Sequence, residues 1–318
     1  MAEVRHFVAP AALEGARLDV ALTRLAPDLT RARVQRLVAE GRVRLAGRAA
    51  KAAARLRAGQ PLEVEIPEPE PSGLVAQDLP LRVLHEDADL LVLDKAAGMV
   101  VHPARGTPHS TVVNALLHRF GGGPGGERLG LVHRLDKETS GCLVVAKREA
   151  ALTALQRAFQ AREVEKVYLA LCHGRLAAAG RLDTPYGRHA RDRTRFTSRG
   201  AHARRALTEW TVRERFGEAA ALAEVRLHTG RTHQIRVHLA EAGHPLLHDA
   251  AYGGTRREAR LPEESPVRRA AEALGRQGLH AWRLAFDHPR TGRPMAFEAP
   301  PPADFEAALA ILRGGQSR

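Results

Sequence analysis

The chain has 318 residues, 44% of them hydrophobic and only 4% aromatic, with 49 basic residues against 36 acidic for a net charge of +13. That length suggests two domains, or one large one with an appendage, and enough apolar residues for a real core. The basic excess favours a polyanion, either nucleic acid or an anionic membrane. Forty-four of the basic residues are arginines, whose planar fork suits phosphate and base stacking; a GC-rich genome also favours Arg over Lys, so the charge argument rests on the net sign. Cys142 and Cys172 are the only cysteines and give neither a metal-binding spacing nor a disulfide framework. The first ten residues carry charges without a long apolar stretch, and no run reaches the length of a membrane span. These features predict a soluble, cytoplasmic protein, so the charge points to nucleic acid rather than membrane.

Residues 14–72 read as a small module and its linker. Leu18, Ala21, Leu22 and Leu25 recur at helical spacing, and Thr30 is placed to cap a second helix with an apolar stripe of Val34, Leu37 and Val38. Arg31, Arg33 and Arg36 fall largely outside that stripe, and Arg42 and Arg44 follow it. Val43 and Leu45 alternate with basic residues as a strand does, Gly47 supplies a turn with positive φ, and Leu62–Ile66 fits a further strand. The alternating prolines from Pro67 to Gly73 predict a stiff, extended linker.

Residues 78–310 read as one further domain. Leu81–His85 and Leu90–Leu93 fit strands around an Asp87-Ala88-Asp89 turn, Thr111–Arg119 fits a short helix, and Gly121–Gly126 a flexible loop. That loop lacks the Gly-Lys-Ser/Thr ending of a nucleotide-binding loop. Leu143–Ala146 reads as a buried strand, Ala150–Ala161 as a helix, and Val167–Leu171, Thr208–Val212 and Ala221–Leu227 as strands. Gln234–Ala242 suits a helix ended by Gly243. Pro262–Leu274, rich in Arg and Glu, reads as a surface insertion. Strands outnumber helices without regular alternation, so the expected class is α+β: a small N-terminal α/β module followed by a mostly antiparallel mixed-sheet domain.

The chemistry concentrates in two segments. His133-Arg134-Leu135-Asp136-Lys137-Glu138-Thr139-Ser140-Gly141 puts a carboxylate on a loop that leads into the core, where it needs a partner. About a hundred residues later comes Thr229-Gly230-Arg231-Thr232-His233-Gln234-Ile235-Arg236-Val237-His238. Together with Asp94-Lys95, Glu165-Lys166-Val167-Tyr168 and Gly243-His244-Pro245-Leu246, these segments resemble the pseudouridine synthases of the RluA family. The likeness covers nearly the whole chain and is greatest to the RluD-like branch that modifies large-subunit ribosomal RNA. Arg17-Leu18-Asp19, the basic helix and Gly59-Gln60-Pro61-Leu62 resemble the S-four-like RNA-binding domain.

The resemblance implies an isomerase that turns uridine into pseudouridine without a cofactor or metal. Asp136 would be the catalytic carboxylate, Arg231 its ion-pair partner, and Tyr168 would stack on the target base. Arg134 would fill the gap left by the flipped nucleotide. Arg31, Arg33, Arg36, Arg42 and Arg44 would contact RNA phosphates. The expected partner is RNA, ribosomal first and transfer RNA as the alternative, met by a monomer with no membrane contact. A non-catalytic RNA-binding or assembly factor is the rival reading. Sixteen histidines, His228, His233, His238, His244 and His248 among them, show no His-Glu-x-x-His and no thiolate cluster, so His133 and His233 are expected to shape loops. His248 and Ala250 stand where the family usually has Gly and Pro.

Overall fold

The computed structural model describes residues 3–26, 29, 31–67, 74–104, 107–126, 129–199 and 204–315. Two compact units divide it, Met1–Gly73 and Leu74–Arg318. The expected Thr30 cap and the linker residues 68–73 lie outside the described residues. Among those residues no helix is long and apolar enough to cross a membrane.

The first unit holds strand β1 (Glu3–Val8), helices α1 (Leu18–Leu25) and α2 (Arg31–Ala39), and strands β2 (Val43–Leu45), β3 (Arg48–Ala49) and β4 (Pro61–Ile66). The strands form an antiparallel sheet in the order β1-β4-β2-β3. The apolar stripes read from the sequence face one core: Leu18, Leu22, Val34, Leu37, Val43, Leu62 and Val64 are all essentially inaccessible. Ala46 and Gly47, at φ 51° and 75°, make the two-residue, positive-φ connection that a tight hairpin prefers. One carboxylate lies within this unit. Asp19 has no exposed side-chain surface and accepts from Arg17 at 3.0 and 3.2 Å, from Arg31 at 3.0 and 2.9 Å, and from Gln35 at 2.7 Å. Those donors hold its carboxyl well below the ordinary range against the opposing cost of burial.

The second unit contains β5 (Arg82–Glu86), β6 (Leu90–Lys95), α3 (Val112–Phe120), β7 (Ser140–Ala146), α4 (Glu149–Ala161), β8 (Glu165–His173), β9 (Ala179–Arg188), β10 (Phe196–Thr197), β11 (Arg204–Phe216) and β12 (Ala220–Leu227). Helices α5 (Gln234–Glu241), α6 (Gly254–Glu258) and α7 (Pro266–Leu274), strands β13 (Leu279–Asp287) and β14 (Pro294–Glu298), and helix α8 (Ala303–Gly314) complete it. Nine strands run in the order β10-β9-β11-β12-β8-β13-β7-β6-β5, with β14 paired to β13. Among the described pairings every one is antiparallel except β13 with β7. That exception sits at Ser140 and Gly141, opposite His280 and Ala281. Gly141 has φ 110°, and a Cβ there would meet the Ala281 carbonyl oxygen at 2.1 Å. Only glycine lets the two strands approach this closely, so the chain enters the sheet centre at a fixed point just after Asp136.

The sequence reading needs one correction here. Pro262–Leu274 is not a surface insertion. Its second part is the amphipathic helix α7, whose Val267, Ala270, Ala271 and Leu274 are buried in a cluster with Phe305, Ala308, Leu309 and Leu312 of α8. The charged residues are its outer face, and the apolar spacing of 267, 270, 271 and 274 is that of one helix stripe.

Asp19 generates a pH prediction. A carboxyl whose folded-state pKa is depressed stabilises the fold above its unfolded value of about 3.9 and ceases to do so as pH falls below it. Protection factors at Val34 and Leu62, exchange rates corrected for the intrinsic rate at each pH, should therefore fall in wild type as pH drops from about 4 towards 2. Asp19→Asn should start less protected and show a flatter acid dependence; an unchanged slope would contradict the assignment.

Candidate active site

Asp136 lies on the loop before β7, and three consecutive carbonyls of that loop, 136 to 138, are tied down. The Asp136 carbonyl accepts from Thr139 N at 3.1 Å, and the Lys137 carbonyl from Gly98 N at 3.0 Å and Lys95 Nζ at 3.1 Å. The Glu138 carbonyl accepts from Arg276 Nη1 at 2.9 Å, and Arg276 is itself fixed by Asp304 at 2.5 and 3.1 Å. Ser140 Oγ bonds His280 Nδ1 at 2.9 Å. Lys95 also donates to the carbonyls of Ala96 and Met99 at 2.7 and 2.8 Å, and burial lowers its pKa to about 7. Carbonyls held by donors from two separate parts of the chain, Lys95 and Gly98 on one side and Arg276 on the other, restrict the conformations open to this loop.

The Asp136 side chain is 17% exposed and faces helix α5. Arg236 Nη1 donates to its Oδ2 at 3.2 Å, and His233 Nε2 stands 3.9 Å from the same oxygen. Arg236 is 9% exposed. Its Nε and Nη2 form a bidentate pair with Asp249, at 2.7 and 2.9 Å. Two acids beside it push the guanidinium pKa up even though burial opposes the shift. The partner expected for Asp136 was Arg231, and this is corrected: the ion pair is made by Arg236. Arg231 sits in the turn before α5, whereas Gln234 to Leu239 are all buried and Arg236 projects from inside that buried helix. Arg231 has no acid partner among the described residues. Its Nε is buried without a hydrogen-bond partner, and burial together with Arg204 and Arg162 lowers its pKa.

Tyr168 on β8 is 8% exposed and packs in one core cluster with Leu135 and Ala281. Burial first, and the Asp136 charge second, raise its phenol above the ordinary value, so it is a neutral hydroxyl at pH 7. Arg134 is exposed on the Asp136 loop with no ion pair among the described residues, and its charge acts on His233. His133 Nε2 accepts from Val144 N at 3.0 Å. His233, at φ 60°, bonds Tyr252 Oη through Nδ1 at 2.9 Å. Both histidines make loop-shaping hydrogen bonds. Asp136, Arg236, His233 and Tyr168 thus converge, while Arg134 and Arg231 stand at the margin.

The RNA pseudouridylate synthase family matches residues 89–241, and the S4 domain matches residues 16–62. The ribosomal large subunit pseudouridine synthase D of Xanthomonas campestris pv. campestris is 42% identical over 99% of this chain and 94% of its own. The chain belongs to the RNA pseudouridine synthase family. An uncharacterized RNA pseudouridine synthase of Chloroflexus aurantiacus is 45% identical over 98% of this chain and 95% of its own. Among solved structures, human RNA pseudouridylate synthase domain containing 4 aligns with a TM-score of 0.55 at 28% identity, over 73% of this chain and 93% of that one.

In this synthase the arginines of the S4 unit differ in availability. Arg31 is committed to Asp19, and Arg42 pairs with Glu40 at 3.2 Å and Glu65 at 2.5 Å. Arg44 is exposed and only grazes Glu63 at 4.0 Å. Arg36 is exposed with no acid partner among the described residues, and Arg33 is half-buried on the same helix. Among the described residues one group has the spacing to hold a metal, Asp87, Asp89 and His288, and its members are engaged with protein donors. His288 Nδ1 accepts from Arg290 N and Thr291 N, which leaves the proton on Nε2 to donate to Asp87 at 3.1 Å, and Arg290 Nε donates to Asp89 at 2.6 Å.

Sequence reading missed Arg236 and Asp249. The available signal was an arginine set between Ile235, Val237 and Leu239, off the stripe of Gln234, His238 and Glu241, since a cation on the apolar side of a helix needs a buried acid. Arg236→Ala should cost about 3–5 kcal/mol in urea unfolding, because two acids lose their shared cation. Arg231→Ala should cost no more than about 1 kcal/mol, as for a surface substitution that breaks no ion pair. The opposite ranking would contradict the geometry.

Proposed function

We propose that this pseudouridine synthase acts on a uridine of large-subunit ribosomal RNA, with Asp136 as nucleophile and the target base flipped out of its stack. The observation that carries the reading is a single carboxylate, on an over-determined loop, held by a buried cation and bordered by a neutral tyrosine. The relatives named for ribosomal large subunit RNA, at 42% identity over 99% of the chain, support that substrate. The protein is taken to act as a monomer in the cytoplasm.

The reaction is an isomerisation. The bond from ribose C1′ to N1 of uracil breaks, the base turns, C5 bonds to C1′, the C5 proton leaves and N1 takes one up. Asp136 attacks the nucleoside or stabilises the cationic sugar as the glycosidic bond breaks. Arg236 pairs with that carboxylate through Nη1 and aims it despite its partial burial. Tyr168 supplies a flat face against the uracil and a hydroxyl that stays protonated near neutral pH.

Flipping a paired base costs a few kcal/mol, and the exposed Arg134 guanidinium stacks into the gap to recover part of it. Arg231, beside Arg162 and Arg204 and without an acid, takes a backbone phosphate. In the S4 unit Arg36 and Arg44 contribute phosphate affinity that carries no sequence information, with Arg33 beside them. Arg31 and Arg42 contribute mainly by holding the module together.

The test is to incubate wild type and Asp136→Asn with unmodified ribosomal RNA transcript, with assembling subunits and with unmodified transfer RNA, then map pseudouridine by carbodiimide-dependent reverse-transcription stops. Wild type should give discrete stops in large-subunit RNA. Asp136→Asn should give none while binding the RNA with wild-type affinity. Tyr168→Phe should keep binding and lose turnover if the hydroxyl moves a proton. Stops with Asp136→Asn would remove the nucleophile assignment, and stops confined to transfer RNA would replace the substrate.

A further inference from the structure

Arg236 is shared unequally between its two acids. It turns the two-pronged Nε and Nη2 edge to Asp249 at 2.7 and 2.9 Å and reaches Asp136 with Nη1 alone at 3.2 Å. We propose that Asp249 is a positioning residue for catalysis: by fixing one edge of the planar guanidinium it aims the remaining N–H at Asp136. This rests on the reading of Asp136 as nucleophile.

Three observations support it. A guanidinium is rigid and planar, so a bidentate partner on one edge determines where Nη1 points. A carboxylate gripped by the fork itself would have both oxygens engaged by a cation and little capacity left for a sugar or a base. Here the fork goes to Asp249, whose side chain is wholly buried, and Asp136 keeps 17% of its surface open with one oxygen in a single hydrogen bond.

The turn from Leu246 to Gly254 is built around Asp249. Asp249 Oδ1 also accepts from Ala251 N and Tyr252 N at 3.1 Å each, and its carbonyl accepts from Gly254 N at 2.8 Å. His248 takes the left-handed conformation at φ 55° immediately before it. A Cβ on Gly254 would meet Leu246 O at 2.2 Å and Asp249 N at 2.6 Å, so the closure admits glycine alone. Strain and close approach held this tightly indicate that the position of residue 249 is over-determined.

The same turn covers the guanidinium. The Tyr252 ring lies 5.1 Å from Arg236 Cζ, and the Tyr252 hydroxyl bonds His233, the second group facing Asp136. Asp249 therefore sets the donor directly and carries the aromatic lid that orients the other neighbour of the nucleophile.

A purely structural role for Asp249 would be to hold the 251–252 backbone, and a double-mutant cycle separates the two. Single-turnover rates and RNA affinities are measured for wild type, Asp249→Asn, Arg236→Lys, the double variant and Asp136→Asn, with melting curves to confirm folding. The proposal predicts a rate loss of about 10²-fold for Asp249→Asn, the scale of a small misplacement of a catalytic group, with RNA affinity unchanged. In the Arg236→Lys background, where no fork exists, Asp249→Asn should add almost nothing. Wild-type rate in Asp249→Asn, or losses that multiply in the double variant, would overturn it.

Should Asp249→Asn fail to fold, Asp249→Glu displaces the fork while keeping the charge and carries the same prediction. Failure of both to fold would assign Asp249 to stability and overturn the proposal. Activity in Asp136→Asn would instead overturn the underlying reading, whatever Asp249 does.

Discussion

Everything in the catalytic unit converges on one buried cation between two carboxylates. Removing Arg236 from water is costly, and the cost is met because each of its three nitrogens donates to an acid of matched geometry. Asp249 takes the strong edge and Asp136 the remaining arm. This arrangement leaves Asp136 paired yet incompletely engaged, with one oxygen in a single hydrogen bond.

The fold serves that pairing by bringing distant segments together. Asp136 comes from the loop before β7, Arg236 from α5 a hundred residues on, and Asp249 from the turn after it. The loop is clamped by Lys95 from the end of β6, Arg276 from beyond α7 and His280 from β13. The parallel pairing of β13 with β7, at Gly141 and Ala281, brings β13 against the start of β7 so that these clamps reach. Long-range ties from several elements make the site part of the core, which is how a solvent-accessible carboxylate stays in one place.

Much of this was legible in the sequence. Helical and alternating periodicity located α1, α2, β4, β6, α4, β8 and α5 because each has an apolar face of its own, and the motif around Asp136 located the carboxylate that pairs with Arg236. The rest was hidden for physical reasons. Strand β9, with Asp183, Thr184 and Pro185 in its middle, is mostly half-exposed and lacks the apolar alternation of a strand. Helix α7 carries so many charges on its outer face that its buried stripe went unread. The exchange of Arg231 for Arg236 is the most instructive case. Both arginines lie in the same ten-residue segment, and only the onset of α5 at Gln234 decides which one turns inward. Likewise Arg31 and Arg42 look like free phosphate ligands until the folded acids Asp19, Glu40 and Glu65 are placed beside them.

The most direct measurement is single-turnover release of tritium from RNA carrying 5-tritiated uridine, since the C5 proton must leave when C5 takes the sugar. Wild type, Arg236→Gln and Arg231→Ala are compared at saturating enzyme. Release should persist in Arg231→Ala, which at saturation hides any loss of phosphate affinity, and should collapse in Arg236→Gln, where Asp136 has lost its cation. Collapse in Arg231→Ala with near-normal release in Arg236→Gln would contradict the account at its centre.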